Sequence, residues 1–189
     1  RQKTTKAMTL GHSTSTFSSS PAAKGTAKTS TEMRGRCKAV QVTVNDTTFR
    51  TQRTLPFSPQ AVYHAFASAE ALAAWWGPDG FTNEFERFEF KVGGLWQFVM
   101  VGPEGARYPN QNIFVELAPA SRVVIRHDCA PFFTLTVQLS PAEGGTLVVW
   151  EQVFDDATVA QAVQAVVVLA NEQNLNRLTR VLESTINRP

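Results

Sequence analysis

The chain has 189 residues, of which 43% are hydrophobic and 18% are charged, and these values are typical of a single globular domain. No apolar run approaches the roughly 20 residues that a transmembrane helix requires, so we expect no membrane insertion. The two cysteines, Cys37 and Cys129, form no CxxC motif and predict free thiols in a reducing cytoplasm.

Charge divides the chain at about residue 38. Residues 1–38 contain eight Lys or Arg and one acid, Glu32, whereas the rest of the chain contains ten bases and fifteen acids. The basic segment has few large apolar residues, so we expect a flexible N-terminal extension, with a targeting segment or a basic binding arm as alternatives. Residues 39–189 form the predicted domain, and their acidic balance argues against a nucleic-acid partner.

The domain begins with strand signals at residues 42–44 and 48–55, which end before a helix start. Ser58 suits the N-cap of this helix and Pro59 suits its first position. The helix buries Val62 and Phe66 and continues or restarts through residues 72–76. The turn sequence Gly-Pro-Asp-Gly at residues 77–80 then ends it.

Six further strands are predicted without an intervening helix. Their apolar residues alternate, and Gly or Pro lies in the short connections between them. They are expected at residues 81–90, 95–101, 110–117, 122–128, 132–139 and 146–154. Short connections make successive strands antiparallel neighbours, so the sequence predicts an α+β domain with helices on one face of a meandering sheet.

A helix over residues 156–187 closes the chain, and Asp155 and Asp156 suit its N-terminus. At about 1.5 Å per residue this helix is roughly 45 Å long, so it crosses several strands of a curved sheet. A sheet curved around a helix commonly leaves a hollow between the two. The apolar stripe predicted to face the sheet is Val159, Val163, Val166, Ala170, Leu175, Leu178 and Leu182.

Several segments resemble one known family in their order and spacing. They lie at residues 58–66, 75–81, 92–100, 119–124, 145–154 and 171–178. On these segments, residues 42–184 resemble the homologues of the activator of heat-shock protein 90 ATPase, within the START-like superfamily. The resemblance implies a helix-grip fold, in which a curved antiparallel sheet wraps around a long C-terminal helix and two short helices follow the first strand. Members include co-chaperone domains, lipid carriers and polyketide cyclases, so the resemblance does not select one function.

Large aromatic residues are the main functional hint in the domain. Rings that share the concave face of the sheet either pack as a solid core or line a ligand cavity, and both interpretations remain open at this point. In the second case they contribute buried area and stacking. The aromatic residues predicted to line the cavity are Trp75, Trp96, Phe98, Phe133 and Trp150.

Two polar residues are predicted to face the same hollow. His127 shares a strand face with apolar Val123 and Ile125, whereas Asp128 points to the opposite face, which argues against a His–Asp pair. Gln152 shares a face with aromatic neighbours on its own strand. His127 is a satisfied core histidine, a ligand anchor or an acid–base group, and Gln152 is a candidate anchor.

Three functions follow as hypotheses. The first is a cytoplasmic protein that binds a small apolar or aromatic molecule through these seven residues. The second is a cyclase-like enzyme in which His127 moves a proton. The third is a module that stimulates a chaperone ATPase, which is less favoured because a 38-residue extension has no room for a further domain. We expect neither a metal nor another cofactor, since the three histidines have no metal-ligand spacing, and a homodimer is left open.

Overall fold

The computed structural model describes residues 41–44 and 46–186, which form eight strands and three helices. The predicted extension, residues 1–38, lies outside the described residues, and the domain boundary stays a prediction. In chain order the elements are β1 (Gln41–Val44), β2 (Thr48–Leu55), α1 (Pro59–His64), α2 (Ala69–Trp75), β3 (Thr82–Phe88), β4 (Leu95–Val101), β5 (Arg107–Ala118), β6 (Arg122–His127), β7 (Phe133–Ala142), β8 (Gly145–Phe154) and α3 (Ala157–Ile186).

All eight strands belong to one antiparallel sheet in the order β1-β2-β8-β7-β6-β5-β4-β3. Strands β3 to β8 form the predicted meander, and β2 pairs with β8 along Thr48–Leu55. Register shifts at Phe85/Arg87 in β3 and Phe114/Glu116 in β5 interrupt the ladders and bend these strands. The prediction of an α+β, helix-grip fold with two short helices near its start is confirmed, and these helices follow β2.

The segment after β2 contains two capped helices. Ser58 Oγ accepts a hydrogen bond from the Ala61 backbone N–H at 3.2 Å and begins α1. Ser68 Oγ accepts from the Ala71 N–H at 3.0 Å and begins α2. Each serine satisfies a backbone donor that has no partner within its helix, so a second helix begins after Ser68.

The apolar stripe predicted for α3 is correct in the second half of the helix and wrong at two positions in the first half. Leu175, Leu178 and Leu182 are buried, whereas Val159 and Val166 are 37% and 67% exposed. The face of α3 that meets the sheet also contains buried polar side chains. A prediction that follows only the apolar residues does not include them. The buried positions of α3 are Ala160, Asn171, Asn174, Leu175, Leu178 and Leu182.

Two clusters of buried side chains hold α3 on the sheet. The first joins Ala160 near the start of the helix to Phe49 and Phe154. The second, larger cluster contains Leu175 and Leu178 and forms the main core with α1 and α2. The helix is therefore anchored on both sides of its middle turns.

Among residues 41–44 and 46–186, no helix is both long enough and apolar enough to span a membrane.

Candidate functional site

A hollow of about 420 Å³ lies between the middle of α3 and the concave face of the sheet. It opens to solvent where its lining includes exposed residues such as Tyr108, which is 51% exposed. Its inner walls are formed by side chains from the sheet, from α3 and from the loop after α2. These are Trp76, Met100, Asn110, His127, Phe133, Trp150, Gln152, Val167, Ala170, Asn171 and Asn174.

The loop after α2 forms one wall, and α3 holds it in place. Asn174 Oδ1 accepts a hydrogen bond from the Gly77 backbone N–H at 2.7 Å. Arg177 donates to the Pro78 carbonyl at 2.5 Å and to the Gly77 carbonyl at 3.1 Å. Gly77 has a φ of +98°, a backbone conformation that favours glycine. This clamp places the indole of Trp76 at the hollow.

Four of the seven residues predicted to line a cavity meet at this hollow. His127, Phe133, Trp150 and Gln152 lie on its wall, whereas Trp75, Trp96 and Phe98 do not. The four residues come from β6, β7 and β8, which are adjacent in the sheet. Because alternate residues of a strand share a face, their side chains point to the same side and lie close together. Their role in binding stays a prediction.

The other three residues belong to packed aromatic groups. Trp75 is fully buried, and its Nε1 donates to the Ala65 carbonyl at 2.9 Å. Trp96 stacks on Phe98 with ring centroids 5.4 Å apart and on Phe114 at the same distance. Trp96 and Phe98 lie on β4, which three strands separate from β8, and there other aromatic side chains fill the concave face.

His127 is held at the rim of the hollow by contacts on both ring nitrogens. Nδ1 lies 2.8 Å from the Pro131 carbonyl oxygen, and Nε2 lies 3.0 Å from Asn110 Oδ1. The ring stacks on Phe133 with centroids 4.5 Å apart and planes 7° from parallel. Cys129 Sγ is 3.5 Å from Nε2. These contacts fix the ring in one orientation.

Burial lowers the pKa of His127 below its usual value, because the charged imidazolium loses solvation. The hydrogen bond to the Pro131 carbonyl opposes this shift without reversing it. The ring is therefore neutral at pH 7 and carries one N–H.

The hollow has little net charge. Among the described residues of the lining, Arg107 alone carries a full charge at pH 7, and it lies at the mouth. The Arg107 guanidinium donates to both carboxylate oxygens of Glu84, at 3.2 and 2.6 Å. These bonds hold the pKa of Glu84 below its usual range, so the pair stays ionised and neutralises itself.

Three buried polar atoms of the lining have no hydrogen-bond partner among the described residues. They are Trp150 Nε1, Gln152 Oε1 and Asn171 Nδ2. Gln152 is 8% exposed and Asn171 is 3% exposed, so bulk solvent does not cover them. Each of the three atoms has less than 1 Å² of accessible surface, so it lies within the wall and not at the face that borders the hollow.

A second hollow of about 330 Å³ lies between α1, α2 and the end of α3. Its lining is almost wholly apolar, and none of the unpartnered polar atoms described above belongs to it. Within the part of the chain that the structure describes, no three His, Cys, Asp or Glu side chains lie close enough to hold a metal ion. The first hollow is therefore the better candidate site.

Sequence reasoning missed several residues of the first hollow. Asn171 was not considered, because a polar residue interrupts the apolar stripe of α3. The stripe contains a signal of this, since Ala170 and Leu175 are five residues apart where three or four is the helical spacing. Met100 and Trp76 also border the hollow, and neither is among the residues that the sequence predicts to line it.

Residues 56–183 of the chain are similar in sequence to one known protein family. This segment matches the family model described as Activator of Hsp90 ATPase homolog 1-like protein. No curated protein sequence matches the chain significantly.

Solved structures share the fold at low sequence identity. A solution structure from Arthrobacter aurescens has a TM-score of 0.71 at 20% identity and covers 79% of this chain and 93% of its own. A crystal structure from Rhodobacter sphaeroides has a TM-score of 0.69 at 24% identity and covers 77% of this chain and 98% of its own. An AHSA1-like protein from Aeromonas hydrophila has a TM-score of 0.58 at 20% identity, with coverages of 73% and 93%.

Proposed function

Since the chain belongs to the Activator of Hsp90 ATPase homolog 1-like family, whose fold leaves a hollow beneath α3 in this protein, we propose that it binds a small, largely apolar molecule there. The observation that carries the proposal is the lining itself. Aromatic and aliphatic walls surround a few polar side chains, among them Asn110, His127 and Gln152. Small-molecule sites in proteins typically have this combination.

The volume of the hollow supports the same function. About 420 Å³ lies within the range of roughly 300–1,000 Å³ that small-molecule sites occupy. The rings of Trp76, Phe133 and Trp150 offer apolar area that a bound molecule removes from water. Because each Å² of buried apolar surface contributes about 25 cal/mol, a two-ring ligand gains several kcal/mol before its ordering costs.

Titration with N-phenyl-1-naphthylamine tests the proposal. This uncharged dye emits strongly in apolar surroundings, and Trp76 and Trp150 lie close enough to be quenched when it binds. We expect saturable binding at one site and an increase in the melting temperature with dye concentration, because a ligand that binds only the folded state stabilises it.

The matched variants are Ala170→Phe and Ala162→Phe. Ala170 lines the hollow, and Ala162 is exposed on the same helix. Ala170→Phe fills the space and should weaken dye binding by about tenfold or more, whereas Ala162→Phe should bind as the wild type does. Absence of saturable binding by the wild type, or equal binding by both variants, would contradict the proposal.

The description of the matched family supplies a second candidate, stimulation of a chaperone ATPase. Its test is the ATPase rate of purified Hsp90 with and without this protein. A rate increase that Ala170→Phe leaves intact would place that activity away from the hollow, and an unchanged rate would remove this candidate.

A further inference from the structure

We propose that a second copy of this chain binds to the outer face of α3, so that two domains pair through one helix each. The proposal concerns a surface other than the hollow and does not depend on the proposed function. This surface consists of four side chains in the first half of α3, which we call the outer seam: Val159, Ala162, Val166 and Leu169.

The outer seam is exposed although it is apolar. Its three larger side chains, Val159, Val166 and Leu169, are 37%, 67% and 57% exposed, and its alanine is also exposed. Two valines of the same turns, Val163 and Val167, pack instead on the smaller core cluster. The seam therefore lies on the side of α3 that turns away from the sheet, and it stays accessible in the single chain.

The spacing of the seam is that of helices that pair with other helices. Its positions follow one another at intervals of three, four and three residues, which is the a and d spacing of a coiled coil. Such a row packs against the matching row of a second helix at a crossing angle of about 20°. Because the sheet already holds α3 in place, a short seam does not have to stabilise the helix itself.

Charge selects a second copy as the occupant. No Asp, Glu, Lys or Arg occurs between Asp156 and Glu172, whereas residues 39–189 together carry ten bases and fifteen acids. Two acidic domains repel each other, but two outer seams meet without like charges facing each other. The basic residues 1–38 find no acid on the seam to pair with. An anionic lipid surface finds no Lys or Arg on it either.

The sizes of the side chains make the seam complementary to itself in an antiparallel pair. A twofold axis near Gln164 places Val159 of one copy against Leu169 of the other. The same axis places the small Ala162 against Val166, so that each valine enters the space beside an alanine. Antiparallel helices also bring opposite ends of their dipoles together.

The size of the seam sets the strength of the pairing. An exposed strip about 15 Å long and about 10 Å wide is much smaller than the roughly 800 Å² that each partner buries in a standard interface. We therefore expect a reversible dimer with a dissociation constant of about 10–100 µM.

Sedimentation equilibrium of the full chain between about 5 and 500 µM measures this association. Val166→Glu places a charge on each seam and should weaken dimerisation by about tenfold or more. Gln161→Glu is the matched control, because Gln161 is exposed on the same helix about 140° around its axis from Val166. This variant should dimerise as the wild type does.

Cysteine cross-linking tests the antiparallel arrangement. The native cysteines are first replaced by Cys37→Ser and Cys129→Ser. A chain with Ala162→Cys, mixed with a chain with Val166→Cys and oxidised, should then form a disulfide-linked dimer faster than either chain alone.

Three results would overturn the proposal. The first is a monomer at every concentration, and the second is a dimer that Val166→Glu and Gln161→Glu affect equally. The third is cross-linking that is no faster in the mixture than in the separate chains.

Discussion

Asn174 on α3 and Gly77 in the loop after α2 are joined by a buried hydrogen bond of 2.7 Å, from the glycine N–H to the asparagine Oδ1. The same asparagine donates from Nδ2 to the Ala170 carbonyl at 3.0 Å, so both ends of its amide are used. This residue is polar within a buried face because it holds the wall of the hollow. Its function differs from that of Asn171, whose Nδ2 has no partner among the described residues.

Asn174→Leu should destabilise the domain by about 1–3 kcal/mol, because it leaves the buried Gly77 N–H without an acceptor. Asn176→Leu is the control, since Asn176 is exposed on the same helix and accepts a hydrogen bond from Arg53. Urea denaturation of both variants measures the difference. Equal losses would show that the Asn174 bond contributes no more than an exposed contact.

Gly77→Ala should cost more stability than Gly105→Ala. Both glycines have positive φ, +98° and +82°, so both substitutions strain the backbone, by about 1–2 kcal/mol. A Cβ at Gly77 would also lie 3.2 Å from Met100 Cε, whereas a Cβ at Gly105 meets nothing within 4 Å. The excess loss for Gly77→Ala measures how firmly Met100 is packed, and a Met100 free to move would make the two losses equal.

Leu178→Asp should unfold the domain or cost several kcal/mol, because it places an unpaired charge beneath α3 in the main core. Val166→Asp should change stability by no more than about 0.5 kcal/mol, because Val166 is 67% exposed. Circular dichroism melts of the two variants compare the faces directly. A severe loss for Val166→Asp would show that the original apolar stripe is the packed one.

The difference between these two positions shows what the sequence could predict. Alternation and turn residues predicted the strands because one buried face with period two is enough to identify them. The face of α3 was harder to predict, since only the turns around Leu178 and Leu182 pack on a wholly apolar core. In the middle turns, the inward face includes Asn171 and Asn174, and the exposed face carries Val166 and Leu169.

Only those residues of the candidate site that lie on neighbouring strands could be predicted from the sequence. Phe133 and Gln152 were found by strand parity, which fixes the face of the sheet. Parity does not fix the position along a curved sheet, so Trp96 and Phe98 were placed with them although other rings cover both. That distinction depends on strand order and on side chains from α2 and β3, which no local pattern encodes.

Acidification should destabilise the wild type more than His127→Gln. Burial lowers the pKa of His127 in the folded state, so the unfolded chain binds the proton more readily. The stability associated with the neutral ring is present above the unfolded pKa of about 6.5 and is lost as the pH falls towards the folded value. Melting temperatures between about pH 7.5 and pH 5 should therefore converge for wild type and variant. A difference in melting temperature between wild type and His127→Gln that stays constant with pH would contradict the lowered pKa of His127. The same measurements on His64→Gln show the effect of removing a histidine from a different position.

The position of a bound probe tests the central claim most directly. In ¹H–¹⁵N correlation spectra of the full chain, N-phenyl-1-naphthylamine should shift the amide signals of Phe133, Gln152 and Asn171, because these residues line the hollow beneath α3. The account predicts that the largest shifts cluster there and saturate with one dye per chain. Shifts that cluster instead around Ala61 and Leu182, at the second hollow, or an absence of shifts at saturating dye, would contradict it.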